Sequence, residues 1–168
     1  MMDIFKLIKT RRSIRKFTKK PVADEIIEKI IEAGIWAPSG LNNQPWRFAV
    51  IRDSELKQKI SLLTHYSKVV LSANVLIAVF LDNASSYDRT KDVQAVGACI
   101  QNMLLYIHSM GLGAVWLGEI LRSREEVLSI VDGPEDFELM AVIALGHPAS
   151  QGGKGSRNKS GQSVFFRK

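Results

Sequence analysis

Cysteine occurs once in the 168 residues, at Cys99, so no internal disulfide is available. A lone thiol on an apolar helical face reads as core rather than as a nucleophile. Histidine is nearly as scarce, and His65, His108 and His147 are too widely separated to supply a metal-ligand cluster with credible spacing. Long apolar runs are missing too: stretches such as Asn74–Leu81 fall far short of the roughly 20 residues that span a bilayer. Met1–Lys20 is basic and lacks the apolar core of a secretory signal, so a cytoplasmic protein is expected. Several chemistries lack their motifs. Near Gly153 and Lys154 the phosphate-loop pattern fails twice, with Pro148 where the first glycine belongs and Gly155 after the lysine. Gly111–Leu112–Gly113 follows a helical pattern and enters a strand, the reverse of the dinucleotide fingerprint. There is no G-x-S-x-G elbow. Basic ends without a basic recognition helix or interleaved aromatics do not make a nucleic-acid module.

What is present is the composition of a globular protein. Hydrophobic residues make up 46% and charged residues 24%, and one domain spanning 1–168 is expected. A chain of this length buries roughly 70% of the surface that its unfolded form exposes, so a full core is available. The net charge of +6 is unevenly placed. Met1–Lys20 holds eight Lys or Arg and one acid, and Gln151–Lys168 holds five basic residues and no acid. The ends carry +7 and +5, while Pro21–Ser150 carries −6. Two cationic ends brought together make an anion site; left apart, they are merely solvated.

Along the chain, Asp3–Thr10 reads as a short amphipathic helix leading into Arg11–Phe17 (RRSIRKF), where apolar anchors alternate with guanidinium groups suited to phosphate. Ile26, Ile27, Ile30 and Ile31 recur at helical spacing, and Pro38 ends that helix near Ala37. Trp46–Ile51 (WRFAVI) is a strand. Between them, Ser39, Gly40, Asn42, Asn43 and Gln44 offer uncharged donors and acceptors, which suit a neutral, planar, heteroatom-rich ligand as well as they suit a capped turn. A helix over Ser54–Leu63 and a less regular stretch over Thr64–Leu71, with His65 and Tyr66 in local packing, precede a buried strand at Asn74–Leu81. Thr90–Met110 is the longest helix and is apolar nearly all round, as expected of a helix covered on more than one side, centrally or by a second subunit. Ala114–Leu117 is a strand, Arg124–Val131 a helix and Phe137–Leu145 another buried strand. Ser163–Arg167 (SVFFR) has a strand pattern with nothing after it to pair with, so it wants an edge, one offered by another subunit included.

Four segments, in this order, resemble the FMN-dependent nitroreductase family: RRSIRKF; Ala37–Phe48 (APSGLNNQPWRF); Asp92–Ile120 (DVQAVGACIQNMLLYIHSMGLGAVWLGEI); and Leu145–Pro148 (LGHP) with its basic tail. The resemblance implies an α+β, three-layer fold with a mainly antiparallel sheet flanked by helices and a C-terminal strand exchanged between subunits. It also implies a homodimer with FMN at the interface. Arg11, Arg12, Ser13 and Arg15 match the segment that holds the FMN phosphate and ribityl chain. Pro38, Ser39, Gly40 and Asn42 match the loop that reaches the flavin from the other subunit. Leu117 and Gly118 match the backbone that approaches the flavin near N5, and Arg157 and Lys159 match the basic residues that return to the phosphate. The implied activity is ping-pong reduction of nitroaromatics, quinones or similar planar acceptors by NADH or NADPH, with no catalytic side chain assigned. The short Asp82–Thr90 segment leaves no room for an inserted lid, which argues against deiodinase-like or flavin-destroying chemistry. Another redox task, dehydrogenase or oxidase, and a non-catalytic flavin-binding module stay open as alternatives.

Overall fold

The structure is a computed structural model that describes residues 3–168. Four antiparallel strands form its centre: β1 (Trp46–Ile51), β2 (Val75–Asp82), β3 (Gly113–Leu117) and β4 (Phe137–Gly146), in the spatial order β1-β2-β4-β3. Every residue of β2 is buried, because β2 is paired on both edges and covered on both faces. The continuous aliphatic run VLIAVFL is the sequence form of that position.

Side-chain alternation sorts the strand residues into two layers. Val75, Ile77, Val79 and Leu81 face the layer built from α2 (Asp24–Ile35) and α5 (Arg89–Ser109). Leu76, Ala78 and Phe80 face α3 (Ser54–Ser61), α4 (Ser67–Ser72) and α6 (Arg124–Ile130). The result is the helix–sheet–helix sandwich of an α+β fold. Ile30, Ile77, Met103 and Ile143 are fully buried in it, and each such side chain contributes roughly 1.5–3 kcal/mol relative to exposure.

α5 begins at an Asp88 cap, whose carboxylate accepts from the Lys91 N–H, and ends at Gly111, φ +72°. It buries Ala95, Val96, Cys99, Ile100, Met103, Leu104 and Ile107, whereas Gln94 and Gln101 are exposed and Ala98, Leu105 and Tyr106 are half-buried. Within one chain α5 thus has one deep face and a partly open one that still carries Ala98, Leu105 and Tyr106. The chain's ends meet at the β3 edge. Beyond α1 (Ile4–Thr10), Ser13 bridges Ala114 in parallel, Phe17 bridges Pro148, and the Thr18 N–H donates to the His147 carbonyl. Ser163–Arg167 forms no strand: Val164, Phe165 and Phe166 are exposed, because no sheet edge of the same chain reaches them.

Candidate functional site

Arg11 to Arg15 leave α1 in extended form along β3, held by the Ile14 N–H donating to the Ala114 carbonyl at 2.9 Å. Alternation sets Arg12 and Ile14 opposite Ser13 and Arg15. A side chain at Gly113 would strike Ile14, so glycine permits this close approach. The Arg12 guanidinium is spent on carbonyls: Nη1 donates to Lys9 O and Arg11 O, and Nε donates to Gly153 O at 3.2 Å. Arg12 therefore ties the C-terminal tail across the N-terminal segment. It is structural as much as electrostatic.

The tail brings Arg157 to Arg11. Burial first, then the charges of Arg157 and Arg12, push the Arg11 guanidinium below its usual range. Burial, Arg11 and Arg12 do the same to His108, which shares a 2.9 Å hydrogen bond with the Thr10 hydroxyl. Beside them opens a cleft of about 820 Å³ lined by Arg12, Ile14, His108, Leu112, Gln151 and Lys154 among others.

Pairing separates these arginines from the rest. Arg47, Arg52, Arg89, Arg122 and Arg124, in the middle of the chain, each pair with a carboxylate. Among the described residues Arg11, Arg12, Arg15 and Arg157 pair with none. A cluster of arginines without a counter-charge is suited to an anion, and arginine forks suit a phosphate. Lys159 is exposed beside the short turn Ser160–Gln162.

Leu117 is buried at the end of β3, and Gly118 follows it at the start of the Glu119–Ser123 turn. A Cβ on Gly118 would meet nothing nearer than Trp116 Nε1 at 4.0 Å, so its backbone faces open space. Glu119 anchors the turn by accepting from the Thr64 hydroxyl at 2.7 Å and from the His65 N–H, and it forms an ion pair with Arg122 at 3.0 Å. The Thr64 bond, followed by His65 and Arg122, holds the Glu119 carboxyl below the ordinary range against the opposing effect of burial. His65 is exposed, within reach of Glu119 and Arg122, rather than locally packed.

The Pro38–Asn42 loop lies elsewhere. Leu41, Asn42 and Gln44 adopt left-handed backbone, with φ of 54°, 55° and 48°. Such residues cost of order 1–3 kcal/mol each and persist where the surroundings over-determine them. Here Ser39 Oγ accepts from the Gln44 N–H, and Asn43 Nδ2 donates to Ser85 O and to Asp92 Oδ1. Asp92 is fully buried, and its other oxygen accepts from the Ser86 hydroxyl and the N–H groups of Tyr87 and Asp88. Burial alone would raise the Asp92 carboxyl; the bonds from Ser86, Asn43, Asp88 and Tyr87 overcome it and hold the group below the ordinary range. The strained loop presents Leu41 to solvent, 85% exposed.

Within one chain these clusters do not meet. The loop is tied to Asp92 near the start of α5, and the arginines surround His108 near its end. His108 stands sixteen positions after Asp92, about 24 Å along the helix axis. Trp116 (41% exposed), Tyr87, Asp92 and Glu119 are site-lining or site-holding residues that sequence reasoning missed.

The family model described as "Nitroreductase family" matches residues 8–65 and 57–147. The chain belongs to the nitroreductase family. An Archaeoglobus fulgidus protein, provisionally named an NADH dehydrogenase/NAD(P)H nitroreductase, is 37% identical over 157 residues, covering 90% of this chain and 88% of that protein. The Vibrio harveyi NADPH-flavin oxidoreductase is 31% identical over 160 residues, covering 88% of this chain and 67% of its own. The crystal structure of a Desulfovibrio desulfuricans protein, provisionally a nitroreductase and in complex with FMN, superposes with a TM-score of 0.94 at 44% identity. That superposition covers 100% of this chain and 98% of the other. Among the described residues, no helix is long and apolar enough to cross a membrane, and no group of His, Cys, Asp and Glu has the arrangement of a metal site.

Proposed function

We propose that this nitroreductase-family protein, one domain over 1–168, is an FMN-dependent NAD(P)H oxidoreductase that reduces nitroaromatics, quinones or similar planar acceptors. The observation that carries this reading is the convergence of Arg11, Arg12 and Arg157 with no carboxylate against them at the start of β3, the strand whose far end leads to Gly118 with its exposed backbone. The donor set fits FMN. Arg11, Arg157 and the Ser13 hydroxyl would hold the phosphate, with Arg15 and Lys159 adding charge. The Leu117–Gly118 backbone would lie along the isoalloxazine.

FMN, when bound, supplies the hydride chemistry, and the protein supplies position and electrostatics. Overall, NAD(P)H, a proton and a quinone give NAD(P)+ and the hydroquinone. Arg12 keeps the tail closed so that Arg157 stays near Arg11. Asp92 keeps Ser39–Asn42 in its strained form, so that the loop's neutral donors are ordered before any ligand arrives. Since loop and arginines stand about 24 Å apart along α5, the complete site needs a second copy. We infer a homodimer with two FMN sites at its interface, each joining Arg11–Arg15 of one protomer to the Pro38–Asn42 loop of the other. Exchange of the exposed Ser163–Arg167 segment between subunits is part of the same proposal. The unpaired thiol of Cys99 suits a cytoplasmic setting.

The test is an absorbance spectrum after FMN addition and desalting, followed by anaerobic NADH and then NADPH. Retained flavin that bleaches supports the reading and distinguishes the donors. Absence of retained flavin overturns it.

A further inference from the structure

The linker between β2 and α5 is only six residues long, Asn83–Asp88, yet its penultimate residue, Tyr87, is an aromatic placed against the candidate loop. A Cβ built on Gly40 would fall 1.8 Å from the Tyr87 hydroxyl oxygen and 2.6 Å from Cζ, so the phenol sits directly on the glycine. Three contacts fix the ring. The Tyr87 N–H donates to Asp92 Oδ2 at 3.0 Å, the Lys91 ammonium lies 5.1 Å from the ring centroid, and Gly40 supports the hydroxyl end. Lys91 in turn pairs with Asp88 at 3.6 Å, so no uncompensated charge is brought to the ring. What remains is a rigid, neutral aromatic wall, 44% exposed, whose hydroxyl makes no hydrogen bond to any described residue. Leu41 projects from the same loop.

A rigid ring with a free donor suits a flat aromatic whose oxygen accepts a hydrogen bond. We propose that Tyr87 is a specificity-determining residue: its phenol is the wall and hydrogen-bond donor for planar quinone and nitroaromatic acceptors, standing where an inserted lid has no room. This rests on the reading above that the Ser39–Asn42 loop borders the flavin. No acceptor-specific charge is required. A planar oxygen-bearing acceptor gains the ring and the hydroxyl together, while a compact inorganic oxidant gains neither.

The test uses FMN-loaded protein with NADH, comparing kcat/KM for a quinone and for 4-nitrobenzoate with kcat/KM for ferricyanide, which needs no aromatic wall. Tyr87→Phe keeps the packing and removes one hydrogen bond; the quinone-to-ferricyanide ratio is expected to fall about fivefold, mostly through KM. Tyr87→Ala removes the ring as well, and the ratio is expected to fall about tenfold or more. Ratios within twofold of wild type in both variants, from protein that retains flavin and reduces ferricyanide, would overturn the role of Tyr87 alone. Failure of the wild-type protein to retain flavin, or to turn over any acceptor, would instead overturn the oxidoreductase reading and the Tyr87 assignment with it. Flavin lost only from the Tyr87 variants would overturn the assignment by making Tyr87 a support of the loop.

Discussion

At the C-terminal end of α5, Arg11, Arg12 and Arg157 stand together with no carboxylate against them, whereas near its N-terminal end Asp92 is buried with no cation against it. Both are isolated charge. Asp92 is satisfied by four donors from its own chain, two side chains and two backbone N–H groups, so that end is complete on folding. The arginines repel one another, and Arg12 spends its donors on carbonyls, so that end is completed only by something from outside. One end gives rigidity; the other, as proposed, gives affinity, because a ligand that relieves repulsion in the folded state stabilises that state by mass action.

The largest effect should come from breaking the arginine end. Arg11→Ala combined with Arg157→Ala is expected to weaken FMN binding 100-fold or more, since each charge-assisted bond contributes about 1.5–3 kcal/mol. The FMN-free variant should melt no lower than FMN-free wild type. Fluorescence titration and a thermal melt read the two halves, and unchanged FMN affinity would remove these arginines from the phosphate site. Next, Asp92→Ala should cost about 2–4 kcal/mol at neutral pH, by stripping a buried set of hydrogen bonds and releasing the strained loop. Urea unfolding measures it, and a loss below about 1 kcal/mol would mean that the loop holds itself.

Acid should sharpen the contrast further. The folded state keeps Asp92 below the ordinary range, so its contribution is full above the unfolded value of about 3.9 and is lost as pH falls through the lower folded value. The stability gap between wild type and Asp92→Asn should therefore be widest near pH 6 and close below about pH 4 in urea titrations. A gap constant with pH would contradict an ionised Asp92. The smallest effect belongs outside both ends: Asp24→Ala breaks the exposed pair with Arg52 and should change stability by about 0.5 kcal/mol or less.

The apolar pattern made most of the fold legible. β1 is found at Trp46–Ile51 as read, and β2, β3, β4 and α5 each lie within a residue of their expected bounds, because these segments are buried on repeating faces. Cys99 is core as expected; burial pushes its thiol up to about 12. Ser163–Arg167 forms no strand within one chain, because β-propensity describes a fit to a neighbouring strand and none lies against this segment. The arginine end could be seen as composition, although its distinguishing property, the lack of carboxylates, exists only in space. Tyr87, Asp92 and Glu119 stayed hidden for a similar reason. Asp92 lies in an ordinary first turn of a helix, and nothing local reveals that it organises a loop 49 residues earlier.

The tie between Arg12 and the Gly153 carbonyl has a temporal consequence. Arg157 is made 142 residues after Arg15, so the proposed anion site cannot assemble until the sheet and helices between them have been made. Sheet and helices must close before a phosphate can be held. On the proposed reading cofactor loading follows closure of the core, and a chain cut short before Gly153 would lack both the Arg12 tie and Arg157.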